Sequence, residues 1–124
     1  MKSNQCIATL MLSLMFAGHS YAAADVNRGA KVFAEECAEC HSVKDGKNKK
    51  GPFLWGISGR KSGSIEDFKY SDSMKASGIT WTADKIAAYI AAPKKIVPGG
   101  IMKYDGLVDE KDRLDVIEYL GSLH

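Results

Sequence analysis

Cys37-Ala38-Glu39-Cys40-His41 is the stretch on which the reading of this sequence turns. Two thiols three positions apart on a turn of helix can each form a thioether to a vinyl group of one porphyrin. The imidazole of the next residue is then placed to meet the iron. The spacing fits the C-x-x-C-H signature of covalent haem attachment. An attached cofactor cannot be lost outside the cell, where free haem is scarce.

The segment before this motif divides into two parts. Lys2 supplies a positive start, Ile7 to Ala17 is apolar apart from Thr9 and Ser13, and Ser20-Tyr21-Ala22-Ala23-Ala24 ends in small residues. This is the pattern of a secretory signal peptide. Its apolar run falls short of the roughly 20 residues of a membrane span. Residues 1–24 are therefore read as a signal peptide, and residues 25–124 as one domain in the periplasm with no transmembrane span after cleavage. Cys6, His19, Met1, Met11 and Met15 leave with the signal, so Cys37, Cys40, His41, His124, Met74 and Met102 are the soft and imidazole ligands that remain.

That inventory weighs on the other uses of two cysteines. A disulfide suits an exported protein, but between Cys37 and Cys40 it would close a tiny loop worth little. A thioredoxin-like pair belongs beside a βαβ pattern, and none is present. A structural zinc site takes four ligands, and the fourth would have to be His124 at a fraying terminus. The chain of 124 residues is 26% charged and 45% hydrophobic, with a formal net charge of +2. That is a globular composition, without the strong basic stripe of a nucleic-acid binder.

The remaining sequence reads as helices separated by long loops. Asp25 caps a helix starting at Val26, with Val26, Ala30, Phe33 and Cys37 on one face, and it is expected to run to about Cys40. From Ser42 to Gly63 no period survives. A loop this long in a small domain is unusual, and it makes sense if it wraps a group that is not protein. Ser71 caps a short helix through Ala76, and Thr82 caps another with Ile86, Tyr89 and Ile90 inward, stopped by Pro93. Lys94 to Gly106 reads as irregular. Asp109 caps the last helix, whose inner face is expected to be Leu114, Ile117 and Leu120. The fold class is all-α, with about four to five helices around one covalently attached haem c.

An electron carrier has its sixth iron position filled, and a thioether there favours the ferrous state. Met74, Met102 and His124 are the candidates. Met74 lies within a short helix. Met102 follows Pro98-Gly99-Gly100-Ile101, where the backbone can fold close over a flat surface, and it is the favoured ligand.

Taken together, these residues resemble the class I c-type cytochromes of the mitochondrial and cytochrome c2 type. The likeness runs through Gly29, Phe33, the Cys37–His41 motif, Gly51-Pro52 and Gly59-Arg60-Lys61-Ser62-Gly63. It continues with Phe68-Lys69-Tyr70-Ser71, Gly78-Ile79-Thr80-Trp81, Tyr89, Pro93-Lys94-Lys95, Pro98-Gly99, Met102 and Tyr119-Leu120. The resemblance implies His41 and Met102 as axial ligands, and a Pro52 carbonyl that accepts from the His41 ring. It implies Arg60, Tyr70 and Trp81 near the haem propionates, and Tyr89 beside the Met102 sulfur. It places Gly29, Phe33 and Tyr119 between the first and last helices. The implied function is a monomeric, non-enzymatic carrier of single electrons between a bc1-type donor and a cytochrome oxidase or other reductase. A haem peroxidase, a gas-binding cytochrome and a haem subunit of an exported dehydrogenase are the alternatives.

Several positions depart from the family pattern. Met74 stands where asparagine is usual, Gly100 where threonine is usual and Tyr104 where phenylalanine is usual. Glu36, Ile101, Val108 and Asp109 stand where lysines are common. Less positive charge means weaker electrostatic steering of partners.

Overall fold

The four helix starts that the sequence marks by a capping side chain are all present, because each cap is a local bond between residues two or three apart. In the computed structural model, which describes residues 23–124, Asp25 accepts from the backbone N–H groups of Asn27 and Arg28 and opens α1 (Val26–Glu36). Ser71 accepts from Met74 and opens α2 (Asp72–Ala76). Thr82 accepts from Lys85 and opens α3 (Ala83–Ala91). Following α4 (Pro93–Ile96), Asp109 accepts from Asp112 and opens α5 (Glu110–Gly121). A hydroxyl or carboxylate at these positions satisfies amide groups that a helix start leaves orphaned. The expected signal peptide lies outside the described residues except for Ala23 and Ala24, which are exposed.

Three expectations need correction. First, α1 ends at Glu36 rather than near Cys40. Both Cys37 and Ala38 donate to the Phe33 carbonyl, at 2.8 and 2.9 Å, and Cys40 donates to Cys37 at 3.1 Å. The helix widens and then tightens, so the two thiols leave on a turn. Second, residues 93–96 are helical rather than irregular. Pro93 occupies the first helical position, where its missing N–H costs nothing, and Val97 donates back to its carbonyl at 3.0 Å. Third, Leu114 is 45% exposed, and the inner face of α5 is instead Asp115, Val116 and Leu120, with Ile117 and Tyr119 packed at its edge.

The fold is all-α. Among the described residues there is no strand, only an isolated antiparallel bridge between Lys61 and Thr80. The main helix-to-helix contact is between α1 and α5. Gly29 makes it possible: a Cβ there would run into the Asp115 carbonyl and come within 2.8 Å of the Tyr119 Cβ. Phe33 and Tyr119 close the same joint, with ring centroids 5.8 Å apart. The two ends of the domain are thus clasped, and everything from Ser42 to Val108 loops out from the clasp.

Asp115 is the polar centre of this joint and was not singled out by sequence. Its side chain is 0% exposed. One carboxylate oxygen accepts from the Asp25 backbone N–H at 2.8 Å and from Lys111 Nζ at 2.6 Å. The other lies 2.9 Å from Arg28 Nε, near enough to attract but not aligned as a hydrogen bond. Loss of water pushes its pKa up; the Lys111 and Asp25 bonds and the flanking cations outweigh that and hold it below the usual carboxylate range.

A group held below its unfolded pKa stabilises the fold above that pKa and ceases to do so as pH falls through its folded value. Asp115→Asn should therefore lower the unfolding free energy at neutral pH by roughly 2 kcal/mol. In denaturant titrations against pH, the gap between variant and wild type should begin to narrow below about pH 3.9, where the unfolded carboxyl takes up its proton, and close only as pH passes the lower folded value.

Candidate functional site

Immediately after α1, the chain doubles back on itself. Gly51 donates to the Cys40 carbonyl at 2.7 Å, and Leu54 donates to Ser42 at 2.8 Å. The lysine cluster of this loop is turned onto the cysteine motif. Lys49 Nζ donates to the Ala38 carbonyl, and Lys50 pairs with Glu39 at 2.8 Å. The hairpin-like return brings Gly51 and Pro52 against the His41 ring. A Cβ at Gly51 would strike the imidazole, with Nδ1 at 2.8 Å and Nε2 at 3.0 Å. Only glycine lets the backbone pass so close. His41 Nδ1 sits 2.7 Å from the Pro52 carbonyl oxygen. A carbonyl can only accept, so Nδ1 carries the proton and Nε2 keeps its lone pair. Burial lowers the His41 pKa, Pro52 opposes this by raising it, and Lys49 lowers it further.

These groups open on one large cavity of about 500 Å³. Cys37, Cys40, His41, Gly51 and Pro52 form one side of it, and Arg60, Tyr70, Met74, Trp81, Tyr89 and Met102 also line it. His124 does not line it; its ring lies at the exposed C-terminus, 3.2 Å from the Gly121 carbonyl. The cavity is the centre of the molecule. Of the ten buried hydrophobic residues among those described, seven face it: Ile57, Trp81, Ile86, Tyr89, Leu107, Val116 and Leu120. Side chains that would otherwise interdigitate instead surround a space, and protein interiors do not keep voids of this size empty. An apolar body with two thiols and one imidazole on its wall fits a porphyrin held by thioethers and a nitrogen ligand.

The chemistry of the cysteines agrees. Cys37 and Cys40 are not joined to each other. Burial, then Glu36, then Cys40 push the Cys37 thiol up to about 11. A disulfide-exchange pair needs a thiolate at neutral pH and a depressed pKa, so the arrangement opposes that use. Among the described residues no cluster of three or more His, Cys, Asp or Glu side chains is placed to hold a metal ion.

The polar residues expected near the cofactor have further jobs. Arg60 lines the cavity, yet its guanidinium donates to the carbonyls of Phe53, at 2.7 Å, and of Trp55. It also lies 4.8 Å from the Phe53 ring centroid. Arg60 therefore ties the wrapping loop shut. The Tyr70 hydroxyl accepts from the Ile65 N–H at 3.3 Å, and its ring meets Phe68 edge to face. Trp81 and Tyr89 pack 5.0 Å apart. Two residues of the rim were legible only as departures from a pattern. The Tyr104 hydroxyl donates to Glu36 at 2.6 Å, and burial, then the Glu36 bond and charge, raise the phenol pKa.

Comparison with known proteins adds a consistent picture. A sequence model of the family described as Cytochrome c matches residues 26–124. A cytochrome c of Gibberella zeae is 48% identical over 100 residues, covering 80% of this chain and 94% of that protein. One from Stellaria longipes is 45% identical over 97 residues, covering 77% and 90%. One from Theileria parva is 46% identical over 97 residues, covering 77% and 84%.

Gly51→Ala should displace the His41 ring and impair cofactor retention. Intact-mass measurement of the purified chain should show a fraction carrying one haem about tenfold smaller than in wild type, the lower edge of what losing a ligand-orienting contact costs at metal sites.

Proposed function

The chain belongs to the cytochrome c family, and from that premise we propose that it is an exported electron shuttle whose iron is closed by His41 and Met102. It carries single electrons on one covalently bound haem c and is not an enzyme. The observation that carries the finer reading is the lining of the cavity. Cys37, Cys40 and His41 stand on its wall together with Met102.

The haem supplies a one-electron couple at its iron. The chain supplies the rest. Cys37 and Cys40 would hold the porphyrin by thioethers. Pro52 fixes the His41 tautomer, so Nε2 is the free donor, and Gly51 lets the carbonyl reach it. Met102 would be the sixth ligand: it lines the cavity from a segment without regular secondary structure. Met74 is committed to α2, with the Ser77 hydroxyl 4.0 Å from its sulfur. Trp81, Tyr70 and Arg60 serve the propionate side. The apolar wall of Ile57, Leu107 and Leu120 excludes water, which raises the potential and limits reorganisation when charge changes.

For partners, we read the rim as a mixed docking surface. Ile101 is 58% exposed and Val108 86% exposed, while Glu36 and Asp109 are acidic. Lys94 is paired with Asp105 at 2.8 Å, which reduces the positive field further. The partners in this reading are a bc1-type donor and a cytochrome oxidase or other reductase. The N-terminal pattern of residues 1–24 supports a periplasmic site of action, and among the described residues no helix is long and apolar enough to cross a membrane.

Two measurements check these statements. The reduced wild-type spectrum should be unmoved by carbon monoxide, and Met102→Ala should convert it to complete carbon monoxide binding; binding by the wild type would overturn the closed-iron assignment. Electron-transfer rates to a membrane oxidase should fall less than about tenfold from low to high salt, the lower edge of what electrostatic steering supplies. A steeper fall would restore a charge-steered docking face.

A further inference from the structure

The segment that carries Met102 is weakly held by its own backbone. Gly100 donates to Val97 at 3.1 Å and Leu107 donates to Ile90 at 2.8 Å. Between them, among the described residues, no backbone group of residues 101–106 hydrogen-bonds to another backbone group. Two side-chain ties remain. Asp105 pairs with Lys94 eleven positions away, but both side chains are largely in water, where such pairs contribute little. Tyr104 reaches much further. Its hydroxyl donates at 2.6 Å to Glu36, 68 positions away. Glu36 is the last residue of α1 and the neighbour of Cys37. Tyr104 is half-buried, and both residues line the mouth of the cavity.

We propose that Glu36 and Tyr104 form a latch across the mouth of the haem cavity, positioning the Met102 segment against the helix that carries the cysteines. The proposal rests on Met102 being the sixth ligand. The two departures that the sequence shows separately, glutamate where lysine is common and tyrosine where phenylalanine is usual, become one interaction. A lysine could not accept from the phenol, and a phenylalanine could not donate. The pair is a positioning device: neither residue is assigned as an iron ligand, and both act through where Met102 sits. With the latch shut, residues 101–106 close the crevice from one side to the other. With it open, Lys94–Asp105 alone restrains the segment, and the sulfur can leave more often.

The test uses the ferric holoprotein at constant pH 7 with excess imidazole, following replacement of the sulfur ligand at the Soret band. Tyr104→Phe and Glu36→Ala should each raise the opening-limited rate about fivefold, the effect of losing one half-exposed hydrogen bond. The double variant should be no faster than either single one. Glu36→Gln, which keeps an acceptor, should stay close to wild type. Guanidinium midpoints of the holoproteins should change little, which separates the latch from general loosening. Unmoved rates, or single effects that multiply in the double variant, would overturn the latch. The near-infrared sulfur-to-iron band of the wild type tests the underlying reading: its absence would overturn Met102 as ligand and the latch with it. A band that is present alongside unmoved rates would overturn the latch alone.

Discussion

The described domain is arranged around a space of about 500 Å³ that its own side chains do not fill. In an ordinary domain of this size the helices would bury their apolar faces on one another. Here Ile86 and Tyr89 of α3 and Val116 and Leu120 of α5 turn toward the cavity. The long loop from Ser42 to Gly63 has the same cause. It cannot pay its ordering cost through secondary structure, so it contributes wall residues, Pro52, Leu54, Ile57 and Arg60, to a core completed by the cofactor.

The chemistry follows from where the wall is rigid. The cysteine motif begins at the end of α1, and α1 is clasped to α5 through Gly29 and the buried Asp115. The return loop is then pinned to the motif by Gly51, Lys49 and Lys50. His41 is therefore oriented by groups that are themselves fixed. The opposite side differs: residues 101–106 depend on side-chain bonds. One face of the cavity is built firmly, and the other is adjustable.

What could be read from the sequence depended on the range of the interaction. Asp25, Ser71, Thr82 and Asp109 were legible as caps because each bonds to its own first turn. The haem motif was legible because its spacing is local. The end of α1 was not, since periodicity does not report a carbonyl shared by Cys37 and Ala38. Leu114 was expected inside and Asp115 was passed over, because hydrophobicity ranks leucine first, whereas two of the three partners of Asp115, Asp25 and Arg28, lie at the far start of α1 and only Lys111 is a neighbour within α5. Arg60 was expected at the cofactor alone, and its bonds to Phe53 and Trp55 have no sequence signature. The bond from Tyr104 to Glu36 spans most of the domain, and no pattern within either segment announces it.

The clasp between α1 and α5 also determines how this architecture tolerates change in length. Once the two ends of the domain are joined, the chain between them behaves as a set of closed loops. The entropy of closing a loop rises only logarithmically with its length, so doubling one costs only about 0.6 kcal/mol. The stretch just beyond Gly63 can therefore lengthen or shorten with little effect on stability, provided the seam at Gly29 keeps its fit. Such a domain can acquire new rims, and with them new recognition, while the cofactor's seat stays where it is.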